Sequence, residues 1–401
     1  MSRIKDSVIV GGGVAGAAAA VLLAEQGHDV VLIDNQALAT DWPADELDPR
    51  VIALSPGSAA ILESVSAWPI PHPERIAAYD TMQVCSGQGT VEFQADQHGL
   101  DALGWIVEIP ALRHALWSRL QSHPNASILA PGEVRRYEQR EDAVHLELAD
   151  GQRLKTRLLI AADGSRSRLR QQAGIAVDEW HYNQHALIAP VSTETPNPGI
   201  AWQRFSDHGP LALLPLPDGR SSIVWSQSSE RTLAQTEQDE EQVLAELNAC
   251  QDSPMGAITA IGRRQALPLV RRRARTLTQK RLVLLGDAAR SVHPLAGQGL
   301  NLGLADAAAL AQCLEDADLN GHPERALAQY QRWRRSASEM IGGGIHAINE
   351  VFRLPIGLGQ HLLGAGFMAA NRLWPAREIL IERAGGFDSD SPRLARRARG
   401  Q

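Results

Sequence analysis

The chain has 401 residues, 44% of them hydrophobic and 21% charged, the proportions of a folded protein long enough for two domains and a helical tail rather than one core. Its net charge of −7 argues against a nucleic-acid partner held by bulk electrostatics. Its cysteines, Cys85, Cys250 and Cys313, are scattered without a CxxC pair, which argues against a disulfide scaffold or a cysteine metal site and suits a reducing cytoplasm.

Met1 to Asp6 is polar and unlike a signal peptide. Ser7 to Val10 then forms an apolar run, Gly11-Gly12-Gly13 a turn, and Val14 to Gln26 an Ala/Leu-rich helix stopped by Gly27. Val30 to Ile33 is a second apolar run ending at Asp34. Continuous apolar strands separated by a helix predict a parallel sheet buried on both faces. The turn reads Gly11-x-Gly13-x-x-Gly16, with Val14 and Ala15 between the last two glycines. Gly11 permits a tight turn, Gly13 lets a pyrophosphate approach the backbone, and Gly16 lets helix and strand pack closely. The helix N-terminus offers free N–H groups to the phosphates, and Asp34 is placed to accept from ribose hydroxyls. This motif alone does not separate FAD from NAD.

Further on, Leu158 to Ala161 leads to Asp163-Gly164, and Leu282 to Leu285 leads to Gly286-Asp287. Each is a buried strand that delivers an Asp at its carboxyl end, where ligands of open α/β sheets bind. One sheet assembled from distant parts of the chain is therefore predicted. Between them, from about Asp178 to Arg275, the runs Ala186–Ala189, Leu211–Leu214 and Ser222–Trp225 are separated by Pro/Gly/Asp turns, the pattern of antiparallel strands in an inserted domain. Arg271, Arg272, Arg273 and Arg275 read as a solvated basic turn, with a site for NAD(P)H phosphates or anionic lipid as the alternative. The pattern is helical from Leu300 through Leu314 and largely so to the end. The stretch from Val351 to Trp374 comes nearest to a membrane span but is broken by Arg353, Pro355, His361 and Arg372. The tail from Asp388 to Gln401 is expected to be frayed and solvated.

The choice of cofactor rests on Gly286-Asp287-Ala288-Ala289 and on His293-Pro294-Leu295-Ala296-Gly297-Gln298-Gly299-Leu300-Asn301-Leu302-Gly303. A strand-terminal Asp can bond the ribityl hydroxyls of a flavin, which a nicotinamide dinucleotide lacks. Gly297 and Gly299 allow backbone to approach an isoalloxazine ring, and a helix starting near Gly299 aims its dipole at the N1–C2=O edge. In this order, the glycine turn, Ala162-Asp163-Gly164-Ser165-x-Ser167-x-Leu169-Arg170 and the Gly286 to Gly303 segment resemble the single-component flavoprotein aromatic hydroxylases of the para-hydroxybenzoate hydroxylase fold. The likeness runs from about residue 4 to 340. Asp48-Pro49-Arg50-Val51-x-Ala53-Leu54-Ser55, Trp180-x-Tyr182-x-Gln184, Arg204-Phe205, Gly209 to Leu216 and Ser222 to Trp225 resemble the 2-polyprenylphenol hydroxylases of ubiquinone biosynthesis.

That resemblance implies an α/β fold: a Rossmann-like FAD-binding domain of residues 1–75, 100–177 and 276–335, an inserted, mostly antiparallel β-sheet substrate domain of 76–99 and 178–275, and a C-terminal helical region of 336–401. It assigns FAD contact to Gly11, Gly13, Val14, Ala15, Gly16, Asp34, Arg50, Arg113, Val134, Asp163, Asp287, Pro294, Gly297, Gln298, Gly299, Leu300 and Asn301. Arg290 stands where many relatives have His and adds a fixed positive charge near the phosphates. His293 is a weak candidate base that more readily fixes a loop, and His181 and Tyr182 either approach the substrate ring or belong to the inserted sheet. No metal site is expected. The implied chemistry is NAD(P)H reduction of FAD, O2 addition at C4a and hydroxylation of an electron-rich, prenylated phenol. Val351 to Trp374 is then a docking face for membrane or partner, or an ordinary helical hairpin. The alternatives are the same chemistry on a soluble aromatic metabolite, and a non-catalytic FAD-binding subunit of a biosynthetic complex. The sequence does not indicate the oligomeric state.

Overall fold

The structure, a computed structural model, describes residues 3–38, 47–87, 89–291, 298–321, 323–336 and 374–396. Apolar runs from distant parts of the chain lie side by side in one sheet. Lys5–Val10 pairs in parallel with Val30–Ile33 on one side and Arg153–Ala161 on the other, so that Ile9 faces Leu32 and Ile160. Leu282–Leu284 continues the parallel order beyond Arg153–Ala161, with Val283 opposite Ile160, and Ala126–Leu129 flanks Val30–Ile33. Val8, Ile9, Leu32, Ile33, Leu159 and Ile160 are fully buried. Neither face of these central strands meets water, so they read as unbroken apolar runs rather than alternations. The helix Val14–Glu25 is buried from Ala17 through Ala24 and contacts the helices Ile109–Gln121 and Gln298–Leu314. An apolar surface all round fits a helix with neighbours all round.

The long strand Val177–Thr193 is the spine of a second, mostly antiparallel sheet, flanked by Ser221–Ser228 and Gln265–Ala274. Gly209–Pro215, Ile200–Ser206, Thr81–Ser86 and Gly89–Gln94 extend it, the one parallel pairing among the described residues being Ile200–Ser206 with Thr81–Ser86. The stretch from Asp178 to Arg275 is not all strand, as the spacing of turns suggested: Ser229–Glu237 and Glu240–Cys250 are helices. Their starting signals are local. The Ser228 side chain accepts from Arg231 N, and Glu240 and Glu241 place negative charge in the second helix's first turn. Val243 and Leu247 pack against Leu187, Ile223 and Trp225, so these helices cover one face of the sheet. A third sheet, Val51–Leu54, Gly104–Glu108 and Ile76–Tyr79, lies against the first two.

Up to Arg396 the tail departs from its expected frayed state. Arg393–Arg396 is a helical turn that contacts the helices Pro56–Ser64 and Gln298–Leu314; Ala395 is buried, and Arg393 N donates to Gln312 Oε1 at 2.9 Å. Trp333 Nε1 also donates to the Asp390 carbonyl at 2.7 Å. Buried contacts at Phe387 and Ala395 override a composition that looks solvated. Among the described residues no helix is long and apolar enough to cross a membrane. The apolar stretch Val351 to Trp374 lies outside them up to its last residue, where the helix Trp374–Gly385 begins.

Candidate active site

The glycines of the first turn do different jobs. Gly11 has φ +108, and a Cβ there would sit 2.1 Å from the Ala162 carbonyl oxygen; a Cβ at Gly16 would sit 2.0 Å from the Gly11 carbonyl oxygen. Both must stay small so that turn, helix and neighbouring strand can close on one another. A Cβ at Gly13 would meet nothing within 4 Å. Gly13 is also the N-cap of Val14–Glu25 and has no side chain to cap it. Free space at the positive end of a helix is where phosphate oxygens fit. Val14 is buried, and the Ala15 methyl would lie 3.2 Å from a Cβ at Gly286 and 3.0 Å from one at Gly303. Ala15 thus brings the first and third motifs into contact.

Asp34 accepts from Gly12 N at 2.6 Å and from Gln36 N at 2.8 Å, with Arg113 Nη2 3.4 Å away. Arg113 Nε and Trp117 Nε1 both donate to the Gly12 carbonyl, at 2.8 and 2.7 Å, and the guanidinium lies 4.6 Å over the Trp117 ring. Arg113 therefore braces the turn from behind. Trp117, which sequence reasoning missed, shares that task; nothing in its local pattern separates it from an ordinary core tryptophan. Gly132 N donates to the Asp34 carbonyl at 2.7 Å, which sets buried Val134 near the same edge. Arg50 is well exposed and grips Asp48 through Nε and Nη2 at 2.9 and 2.7 Å.

In the second motif, Asp163 Oδ2 accepts from Leu169 N at 3.2 Å, while its Oδ1 is buried without a partner. Arg170 Nη1 donates to the Ala288 carbonyl at 2.8 Å and Nη2 to the Ser165 carbonyl at 2.9 Å, which ties this motif to the third. Asn301, in the first turn of Gln298–Leu314, donates from Nδ2 to the Ala53 carbonyl at 2.8 Å and accepts at Oδ1 from Ser55 N at 3.1 Å. It fixes that helix start to the strand Val51–Leu54. Gln298, Gly299 and Leu300 are half-buried beside it. His293, Pro294 and Gly297 lie outside the described residues. Arg290, expected as a charge beside phosphates, turns Nη2 toward Asp306, which also receives Arg334 Nε at 2.6 Å.

Asp287 sits in the tight turn Gly286–Ala288, exposed at the surface yet closely surrounded by protein. Poor solvation raises its carboxyl above the ordinary 3.8, with Arg290 opposing and Asp306 adding to the rise. The fold by itself therefore disfavours the ionised form, and the site loses stability as pH rises from about 4 through the raised value. Hydroxyl donors on a ligand would favour the carboxylate instead. FAD retention is thus expected to weaken as pH falls through that value, and Asp287→Asn to flatten the dependence. Flavin fluorescence released across a pH series measures both; identical profiles for the two proteins would remove Asp287 from the contact. The free space at Gly13, the orphaned Asp163 Oδ1 and exposed Asp287 all fit a bound FAD.

The substrate candidates separate. His181 is exposed and pairs with Glu179 at 2.8 Å, whereas Tyr182 is buried against Ala186 and Leu269. The strand is irregular here: its register shifts between His181 and Gln184, and Asn183 has φ +53. Beyond this bulge the sheet face away from the two helices carries Ala186, Ile188, Pro190, Ser222, Val224, Ser226, Ala212, Leu214, Ala201, Gln203, Gln265 and Leu267. None is ionisable. Ile188, Val224, Ala212 and Leu214 are only half-buried, and Leu267 is 40% exposed. Leu214 and Ala201 pack with Val51 and Ala53, the strand that Asn301 holds.

Residues 5–341 match the family described as FAD binding domain. The chain is 33% identical over 386 residues to the 3-demethoxyubiquinol 3-hydroxylase of Escherichia coli K12, covering 95% of this chain and 98% of that protein. It is 32% identical over 407 residues to the ubiquinone hydroxylase UbiL of Rhodospirillum rubrum, covering 98% and 93%. The crystal structure of p-nitrophenol 4-monooxygenase PnpA from Pseudomonas putida DLL-E4 superposes with a TM-score of 0.76 at 20% identity, covering 97% of this chain and all of that one. That structural likeness confirms the fold.

Proposed function

The chain belongs to the FAD binding domain family, and from that premise we propose that it is an FAD-, NAD(P)H- and O2-dependent monooxygenase that hydroxylates a prenylated aromatic ring in ubiquinone biosynthesis. The observation that carries the substrate class is the half-open sheet face around Ile188, Val224 and Leu214, which bears no ionisable side chain. A ring substrate with a carboxylate would need a cation there, since burying an unpaired charge is costly. A greasy, uncharged phenol is desolvated by such a wall at little cost and gains from the apolar area it covers. The names of the relatives support the same class.

When bound, FAD supplies electron transfer from NAD(P)H and activation of O2. The chain's own residues would do the rest. Gly13 and the helix start would hold the pyrophosphate, and Asp34 the ribose. Asp287 would hold the ribityl chain, and Asn301 keeps the helix start in register with the wall. The wall excludes water from the reacting ring.

The test loads the protein with FAD and measures NADPH and NADH consumption with a farnesylated phenol and with a carboxylated soluble phenol. One oxygen atom incorporated into the farnesylated ring, coupled to reductant use, is expected. Preference for the carboxylated phenol would overturn the substrate class, and an FAD-loaded protein that never oxidises NAD(P)H would overturn the enzyme reading.

A further inference from the structure

Behind the Asp287 turn lies a cavity of about 200 Å³ whose wall includes Asp178, Arg273, Arg275, Ala289, Arg290 and Arg335. It opens where the inserted sheet meets the helical residues 324–336. The pairing of Gln265–Ala274 with Arg290–Ser291 sets Arg273 directly opposite Arg290, on the same face. Among the described residues, Asp178 and Asp306 are already engaged. Asp178 takes Arg275 Nε at 2.9 Å and Arg273 Nη2 at 3.4 Å, and Asp306 takes Arg290 and Arg334.

Arg290 carries the argument. Its side chain is 4% exposed, yet its Nε and Nη1 have no hydrogen-bond partner. A guanidinium can be neither deprotonated nor left unpaired without cost; Arg290 lines the cationic cavity, so its two unpartnered donors point to an acceptor that arrives from outside and that the side chain shifts to meet. The volume suits a tetrahedral oxyanion, and the fork of a guanidinium suits two of its oxygens.

We propose that this cavity binds a phosphate monoester, with Arg290 and Arg275 as its main contacts. Two sources share that chemistry: the 2′-phosphate of NADPH and the headgroup of a phosphatidic-acid-like lipid. The inference does not rest on the hydroxylation reading, because it is tested at equilibrium without turnover.

The experiment titrates inorganic phosphate into the FAD-loaded protein at low ionic strength by calorimetry. Arg275→Glu reverses a charge on a well-exposed side chain, and Arg290→Lys keeps a cation beside Asp306 while removing the planar donors. Saturable phosphate binding is expected, weakened about tenfold or more in each variant, since loss of one charge-assisted contact is worth about that factor. Displacement of phosphate by NADP+ but not NAD+ would identify the nucleotide as the source. Co-sedimentation with phosphatidylcholine vesicles containing phosphatidic acid, lost in Arg275→Glu, would identify the lipid. No saturable phosphate binding, or equal affinity in both variants and the parent, would overturn the site.

Discussion

Gly13→Asp is expected to leave the fold as stable as before, or slightly more so, and to weaken FAD binding roughly 10³-fold. The two halves of that result come from the same geometry. Gly13 is the N-cap of Val14–Glu25, has an extended backbone with φ −67, and faces free space. Aspartate is among the best N-cap residues and gains a few tenths of a kcal/mol over glycine, with about 0.3–1 kcal/mol more from the helix dipole. The same carboxylate would stand where the pyrophosphate belongs. Two unit charges about 4 Å apart at an effective dielectric near 20 repel by ~4 kcal/mol, close to three decades in affinity. Gly11→Ala makes the contrast, because its φ of +108 and the Ala162 carbonyl 2.1 Å away leave no room even for a methyl. That variant is expected to lose stability itself. Thermal melts and flavin titration separate the cases, and a Gly13→Asp protein that holds FAD like the parent would place the phosphates elsewhere.

The contrast also shows what a sequence can reveal about such a site. The apolar runs at Ser7–Val10, Leu158–Ala161 and Leu282–Leu285 were legible as one parallel sheet because strands buried on both faces carry no alternation to hide them. Gly11 and Gly16 were legible because close backbone approach forces each, and Gly13 because its place in the motif marks it. The two helices laid on the second sheet were not, since the first buries only Thr232 and Gln235, the second only Val243, Leu247 and Cys250, and their caps resemble turns. Nor could spacing show that Arg113 and Trp117 converge on one carbonyl, or that Arg170 joins two motifs. Those links depend on side-chain reach across elements that are far apart in sequence. The uncharged sheet face was hidden for a different reason: which residues share it depends on register, and a bulge at Tyr182 and Asn183 breaks the parity that sequence alternation assumes.

Arg290 shows the opposite situation, a residue whose type was visible and whose surroundings were not. Its partner Asp306 is fully buried, receives Arg290 and Arg334 together, and accepts from Gly286 N at 3.3 Å. Asp306→Leu would leave two buried guanidinium groups without their shared carboxylate. Breaking a buried ion pair from one side costs about 3–5 kcal/mol, so the single variant is expected to lose that much in denaturant unfolding. Because the Gly286 N–H also loses its acceptor, the Asp287 turn should loosen and flavin release should quicken. Replacing all three charges, with Arg290→Met, Asp306→Leu and Arg334→Met together, removes the unpaired charges and is expected to recover most of the stability. It should not recover flavin retention, because the acceptor for Gly286 N is still missing. Loss of less than about 1 kcal/mol in Asp306→Leu would mean that water reaches the cluster and that the turn at Asp287 is held by the strand Leu282–Leu284 alone.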